Sequence, residues 1–417
     1  MRWGMRGLPV VLALSLAGGC CGFRGEGVYV PGEFSGRAIQ RAIDLASEQG
    51  GGVVRLMKGV YPSGTLYLKS GVELNVPEGA VILGDASVES YDDVNDPRIG
   101  KRPEKSAKAF IVCIDAEDVA ITGGGVIDGQ GPKFYDTSSR LWGIFYAKPP
   151  KPRPRMLQFF NCRRVRFEDI TFKDSPGWTC WLRMCEDVTA ERVKIHGDQM
   201  MINNDGFHVD GCRRTVIRGC DLRTGDDCVV MRANVSPNGD AAVNEDMLVE
   251  DCTLSSACQS IRLGCPSDGE IRRGTFRRLK MSGRNGIQCV HPVRYLQEGN
   301  SGNLAMGDIL IEDCEIEVTA APIEFRVEPG IALRSFGGVT FRNVKLRGSE
   351  PVKLLGTGDT MLADIRFENV TGEIAADIPL EVRSCRNLSL EGFRVTSGRG
   401  ATNPPAHNDS DCWERIP

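Results

Sequence analysis

The 417-residue chain carries 51 Lys and Arg against 55 Asp and Glu, a formal charge of −4, and 41% of its residues are hydrophobic. These ordinary globular proportions exclude wholesale disorder, and the absence of a long basic run excludes a phosphate-binding footprint, so no nucleic-acid partner is expected. Glycine stands out at 49 residues, about 12% against a usual ~7%, which implies many tight turns between short strands.

Residues 1–22 read as an export signal: Arg2 and Arg6, an apolar run from Leu8 to Ala17, and small residues before Cys20. Leu16-Ala17-Gly18-Gly19-Cys20 resembles a bacterial lipoprotein box with one extra residue between Leu and Cys, in which Cys20 would carry a lipid anchor. The expected location is therefore outside the cytoplasm: periplasmic, outer-membrane or secreted. No later stretch is long enough to span a membrane. Sixteen Cys would permit disulfides after export, but no Cys-x-x-Cys occurs and only four His exist, so neither a zinc site nor any other metal or cofactor is expected.

Ile39, Ala42, Ile43 and Ala46 fall on one face of a helix that Gly50-Gly51-Gly52 ends. Beyond it, segments of the form apolar-x-x-apolar recur: Phe167–Ile170, Val249–Cys252, Ile311–Cys314, Phe341–Val344 and Phe367–Val370, with weaker copies ending at Val193, Cys220, Leu279 and Phe393. Successive copies lie 23 to 35 residues apart, enough for three short strands and their turns. Richness in Val, Ile, Phe and Thr, breaks at Gly and the lack of a sustained helical period select a single-domain, all-β parallel solenoid over helical repeats. The solenoid would occupy 28–417, with the helix capping its N-terminal end against exposed strand edges, insertions more than coils from Pro97 to Pro154, and an outer tail from about 398. Cys220, Cys252 and Cys314 share one register and read as an inward stack.

The densest polar cluster is Asn203-Asn204-Asp205-Gly206-Phe207-His208, followed by Thr224-Gly225-Asp226-Asp227. Asp205 and Asp226 are 21 residues apart, about one short coil, so they would meet on adjacent rungs. Clustered carboxylates repel, which keeps one protonated as an acid while another serves as a base; glycosidic hydrolysis needs that division. Asp226 and Asp227 reach one cleft only where the backbone bends, and Gly225 permits the bend. Each motif alone also fits an ordinary turn.

With these motifs the chain resembles glycoside hydrolase family 28, the polygalacturonases and rhamnogalacturonan hydrolases. The likeness runs from Ala38 through Gly124-Gly125-Val126-Ile127-Asp128-Gly129 to Asn203-Asn204-Asp205-Gly206, which matches the family's Asn-Thr-Asp-Gly, and Gly225-Asp226-Asp227, which matches its Gly-Asp-Asp. It implies a right-handed parallel β-helix and hydrolysis with inversion, with Asp226 as general acid and Asp205 and Asp227 activating the water. Two positions depart from the family's polygalacturonases. Gln259 stands where they have the His of Gly-His-Gly, and Gln288 follows Asn285-Gly286-Ile287 where they carry Arg-Ile-Lys. Those cations would hold a galacturonate carboxylate, so a pectin-like or related uronate-containing or branched polysaccharide is expected rather than plain polygalacturonan.

Arg232, Arg262 and His291 are candidates to restore the charge from neighbouring coils, and Asn203 and His208 to line the cleft. Each also fits a purely structural role, as do Trp142, Phe145, Tyr146, Trp178 and Trp181 as sugar platforms. Two other functions stay open: a β-helix lyase or epimerase using Ca²⁺ or a basic residue, and a non-catalytic carbohydrate-binding solenoid. A monomer is the expectation for either class.

Overall fold

The computed structural model describes residues 12–15, 27–99, 106–147, 149, 152–235, 239, 242–264, 266–294 and 302–398. Cys20, the expected lipid-anchor residue, most of the expected export signal and the tail expected beyond 398 lie outside these residues.

Each complete coil lays down three strands, and every coil-to-coil pairing is parallel. One ladder of 14 strands includes Gly52–Arg55, Arg163–Glu168, Arg213–Arg218 and Cys385–Glu391. A second runs through Thr171–Lys173, Lys194–His196 and Asp221–Thr224. A third runs through Arg155–Phe160, Cys180–Arg183, Phe207–Asp210 and Val229–Arg232. Two long strands, Thr253–Leu263 and Lys280–His291, turn the corner without a break and fuse the second and third ladders into one sheet of 21 strands. The result is the expected right-handed parallel β-helix. At the N-terminal edge Leu12–Ser15 pairs antiparallel with Gly27–Val30.

The predicted helix spans Gly36–Glu48 and buries Ile39, Ala42, Ile43 and Ala46, as their spacing requires. Ser35 caps it, its hydroxyl accepting from the Ala38 amide at 3.3 Å. Gly50, Gly51 and Gly52 end it with φ of 88°, 118° and 143°, values that a side chain resists.

The physical meaning of the apolar-x-x-apolar segments is a turn. Their third residue is left-handed in coil after coil: Asp169, Arg192, Gly219, Asp251, Arg278, Asp313, Asn343, Asn369 and Gly392. Asp, Asn and Gly tolerate that conformation, and the following apolar residue is thereby thrown inward, so that Ile170, Val193, Cys220, Cys252, Leu279, Cys314, Val344 and Val370 are buried.

The expected cysteine stack is present, the Cys220 amide pointing at Cys252 Sγ at 3.4 Å. A second stack of Cys162, Cys185 and Cys212 lies at another turn, and all twelve cysteines among the described residues are free thiols. The segment from Pro97 to Pro154 differs from expectation. It contains a regular coil, Ala109–Ile114, Glu117–Thr122 and Val126–Asp128, and among the described residues the extra structure lies on its flanks, including the hairpin of Asp136–Leu141 with Phe145–Ala147. The coil is hard to read because Ala109–Cys113 is buried without alternation.

Candidate active site

The polar cluster sits where the second ladder turns into the third. Phe207 pairs with Val229, and the Gly206 amide donates to the Asp227 carbonyl at 2.8 Å. Asp205 and Asp227 therefore share a register on adjacent rungs, 22 residues apart by sequence, and Asp226 lies one residue outside that line. The turn bringing Asp226 alongside is built by Asn204. Its Oδ1 accepts from the amides of Gly225 (2.6 Å) and Asp226 (3.1 Å), and its Nδ2 donates to the Asp198 carbonyl (3.0 Å). Gly225 is required by proximity rather than by φ: a Cβ there would lie 2.0 Å from the Met201 carbonyl oxygen.

Asp226 is half-buried, and its Oδ2 accepts from the Asn203 amide at 3.1 Å. The Asn203 side chain is held by Arg153, whose Nη2 donates to Oδ1 at 3.2 Å. Asp227 is buried, and Arg262 Nε donates to its Oδ2 at 2.6 Å. Burial nevertheless pushes the Asp227 carboxyl up to about 7; Asp226 adds to the rise and Arg262 opposes it. One ligand atom each from Asp226, Asp227 and Cys258 lies within 4.8 Å of the others. Burial holds the Cys258 thiol well above its usual range, and Arg262 already occupies the cationic place beside Asp227, so the trio is a poor fit for a metal ion.

Asp205 is oriented from behind. His208 Nδ1 lies 3.0 Å from Asp205 Oδ2, and His208 Nε2 lies 2.8 Å from Arg232 Nη1. Burial first, and then the cations Arg232, Arg262, Arg155 and Arg183, hold the imidazole well below its usual range. In the neutral ring this hydrogen-bond pattern puts the proton on Nδ1, donating to Asp205, and leaves Nε2 to accept from Arg232. The ring lies flat on Trp178, with centroids 3.6 Å apart and planes at 18°.

The three aspartates, Asn203 and His208 thus come together as the sequence suggested, but the proposed cations differ. Arg262 belongs to Asp227, and Arg232 to His208 and the Pro266 carbonyl. His291 is buried on Phe336, its Nε2 3.4 Å from Cys289 Sγ; it faces the core and not the cleft. Gln259 and Gln288 are joined to each other, Gln259 Nε2 donating to Gln288 Oε1 at 2.6 Å. The aromatic platforms are not free either. Trp178 supports His208, Trp181 is 1% exposed, and Tyr146 donates its hydroxyl to Asp198 at 2.8 Å. Trp142 is exposed on the hairpin turn. Sequence reasoning missed Asn204 as the turn builder, although it stands within the motif, and missed Arg153 and Glu324, which only the coil register brings near.

Residues 97–237, which contain all three aspartates, match the model of Glycosyl hydrolases family 28. A probable polygalacturonase of Arabidopsis thaliana is 23% identical over 308 residues, covering 68% of this chain and 62% of that protein. An endo-polygalacturonase of Pectobacterium parmentieri is 27% identical over 204 residues, covering 47% and 50%. Both matches span less than two thirds of the relative's length. The solved exopolygalacturonase of Thermotoga maritima superposes with a TM-score of 0.63 at 22% identity over 88% of this chain and 89% of that one, a likeness of fold.

Proposed function

We propose that this chain, which matches the model of Glycosyl hydrolases family 28 over residues 97–237, is an exported, inverting glycoside hydrolase that acts as a monomer on a pectin-like or related uronate-containing or branched polysaccharide other than plain polygalacturonan. The observation that carries this reading is the placement of Asp205 and Asp227 on adjacent rungs with Asp226 turned in beside them. Burial and the neighbouring Asp226 push the Asp227 carboxyl up to about 7. Asp226, the more open of the two, delivers a proton to the leaving glycosidic oxygen. Asp205, fixed by the neutral His208, and Asp227 draw a proton from the attacking water on the opposite face of the sugar, which inverts the anomeric centre. Export is supported by the leader of Arg2, Arg6 and Leu8 to Ala17.

The substrate restriction is supported by Gln259 and Gln288, which occupy positions where a uronate-binding site needs cations. A reducing-end assay on polygalacturonan, rhamnogalacturonan and neutral polysaccharides, with and without chelator, tests the reading. Chelator-insensitive release of reducing ends on one polymer is expected, and Asp226→Asn should lose it. Undiminished turnover by that variant would sink the assignment, and an unsaturated, ultraviolet-absorbing product would point to a lyase instead.

A further inference from the structure

The pairing register places Arg262, Gln288, Glu324 and Lys353 in one line on successive rungs, leading from the aspartates toward the C-terminal end. A continuous chain of hydrogen bonds runs along it. Arg262 Nη2 donates to Gln259 Oε1 at 3.0 Å, Gln259 Nε2 to Gln288 Oε1 at 2.6 Å, and Gln288 Nε2 to Glu324 Oε2 at 2.8 Å. Its direction is forced at both ends. A guanidinium can only donate and a carboxylate can only accept, so neither amide can flip without facing like against like. Each neighbouring cation is also held by a carboxylate: Arg262 by Asp227, Arg326 Nε by Glu324 Oε1 at 3.0 Å, and Lys353 by Glu350 at 2.6 Å. An entering carboxylate would meet the negative end of the chain and would have to strip a cation from an existing pair. A hydroxyl meets no such cost, because each glutamine amide keeps a second N–H and a second lone pair.

We infer that Glu324, acting with Gln259 and Gln288, makes this strip a seat for an uncharged, hydroxyl-bearing sugar residue and excludes a uronate from it. The inference rests on the polysaccharide-hydrolase reading and names its specificity residue. The test uses the full chain carrying Asp226→Asn, titrated with a galacturonate oligosaccharide and with the same oligosaccharide after carboxyl reduction. The reduced form should bind at least about tenfold more tightly, a gap that salt narrows. Adding Glu324→Gln, or separately Gln288→Lys, should close that gap by improving binding of the charged oligosaccharide, so a folding failure in one variant leaves the other. Equal affinities, tighter binding of the uronate form or binding of neither sugar would overturn the inference. Failure of the hydrolase reading shows separately, as a protein with Asp226 intact that releases no reducing ends from any polymer.

Discussion

Two Arg–Asp pairs of nearly the same geometry occupy different turns of the solenoid. On the outer turn, Arg278 Nε lies 2.7 Å from Asp251 Oδ1; in the cleft, Arg262 Nε lies 2.6 Å from Asp227 Oδ2. The Asp251 side chain is 47% exposed, that of Asp227 5%. The hydrogen bond from Arg278 lowers the Asp251 pKa, whereas burial and Asp226 raise that of Asp227 to about 7 with its arginine still in place. Contact distance therefore does not set the charge of a carboxylate here; access to water does. The outer pair has counterparts in Arg164 on Asp118, Arg214 on Asp187 and Arg273 on Asp246, a second line of left-handed residues inside the strands of the first ladder. There the charges stay charged, while the cleft holds a proton in reserve.

The comparison breaks most visibly at Asp227. Asp227→Asn should lower kcat at least about 100-fold, since it removes one of the two carboxylates that draw the proton from the attacking water. Its pH dependence of stability should change as well. A carboxyl whose folded pKa is raised keeps its proton after the unfolded chain has lost it, so wild-type stability falls as pH rises from ~4 to about 7. Melting temperatures across that window should decline less in Asp227→Asn. An unchanged slope would mean that Asp227 ionises like a surface carboxylate. His208→Phe comes next: it retains a ring on Trp178 but loses both hydrogen bonds, and the misdirected Asp205 should cost up to about 100-fold in kcat with little change in KM. A matching rise in KM would assign the ring to substrate binding instead.

What the sequence made legible follows from how local each signal is. The left-handed turn favours Asp, Asn or Gly, with Arg192 and Arg278 as exceptions, just before an inward apolar side chain, so the repeat was visible in Val249–Cys252 or Ile311–Cys314. The aspartate motifs are equally local and lie one short coil apart. Partners across coils were not legible, because coil lengths vary and a slip of one residue turns a side chain to the other face. His291 is the clearest case: three residues beyond Gln288 on the strand Lys280–His291, it has the opposite parity and points to the core. Glu324 lies 36 residues from its partner Gln288, with no motif to mark it. Trp178 and Trp181 take the buried role that is the default for aromatics, though what covers them was not legible. Ile99, from the flank of the coil, packs with Phe160 over both rings, and nothing in the local sequence announces that cover.

A smaller effect is expected at Arg262. Arg262 lowers the Asp227 pKa against burial and Asp226; in Arg262→Gln the lowering is gone and Asp227 keeps its proton to higher pH. Asp227 draws a proton from water only when ionised, so the acidic limb of the kcat profile, expected near 7 in the wild type, should move upward in the variant. A downward movement would mean that the arginine's main effect on the pair is not its charge.

The smallest effect belongs to the outer turn. Arg278 also reaches Glu250, which Arg218 and Arg277 share, so Arg278→Gln leaves that carboxylate with two guanidinium partners and Asp251 in contact with water. Turnover should be unchanged, and the fall in melting temperature should be slight and vanish as salt is raised, because exposed pairs are screened. The pH signature should also run opposite to that of the cleft. Asp251 has a lowered pKa, so the stability it lends is present at neutral pH and lost on acidification through its folded pKa, and wild type and variant should converge at low pH. A difference that persisted in acid and in high salt would mean the left-handed Arg278 serves the turn through its packing, and the two pairs would then differ in kind and not only in their access to water.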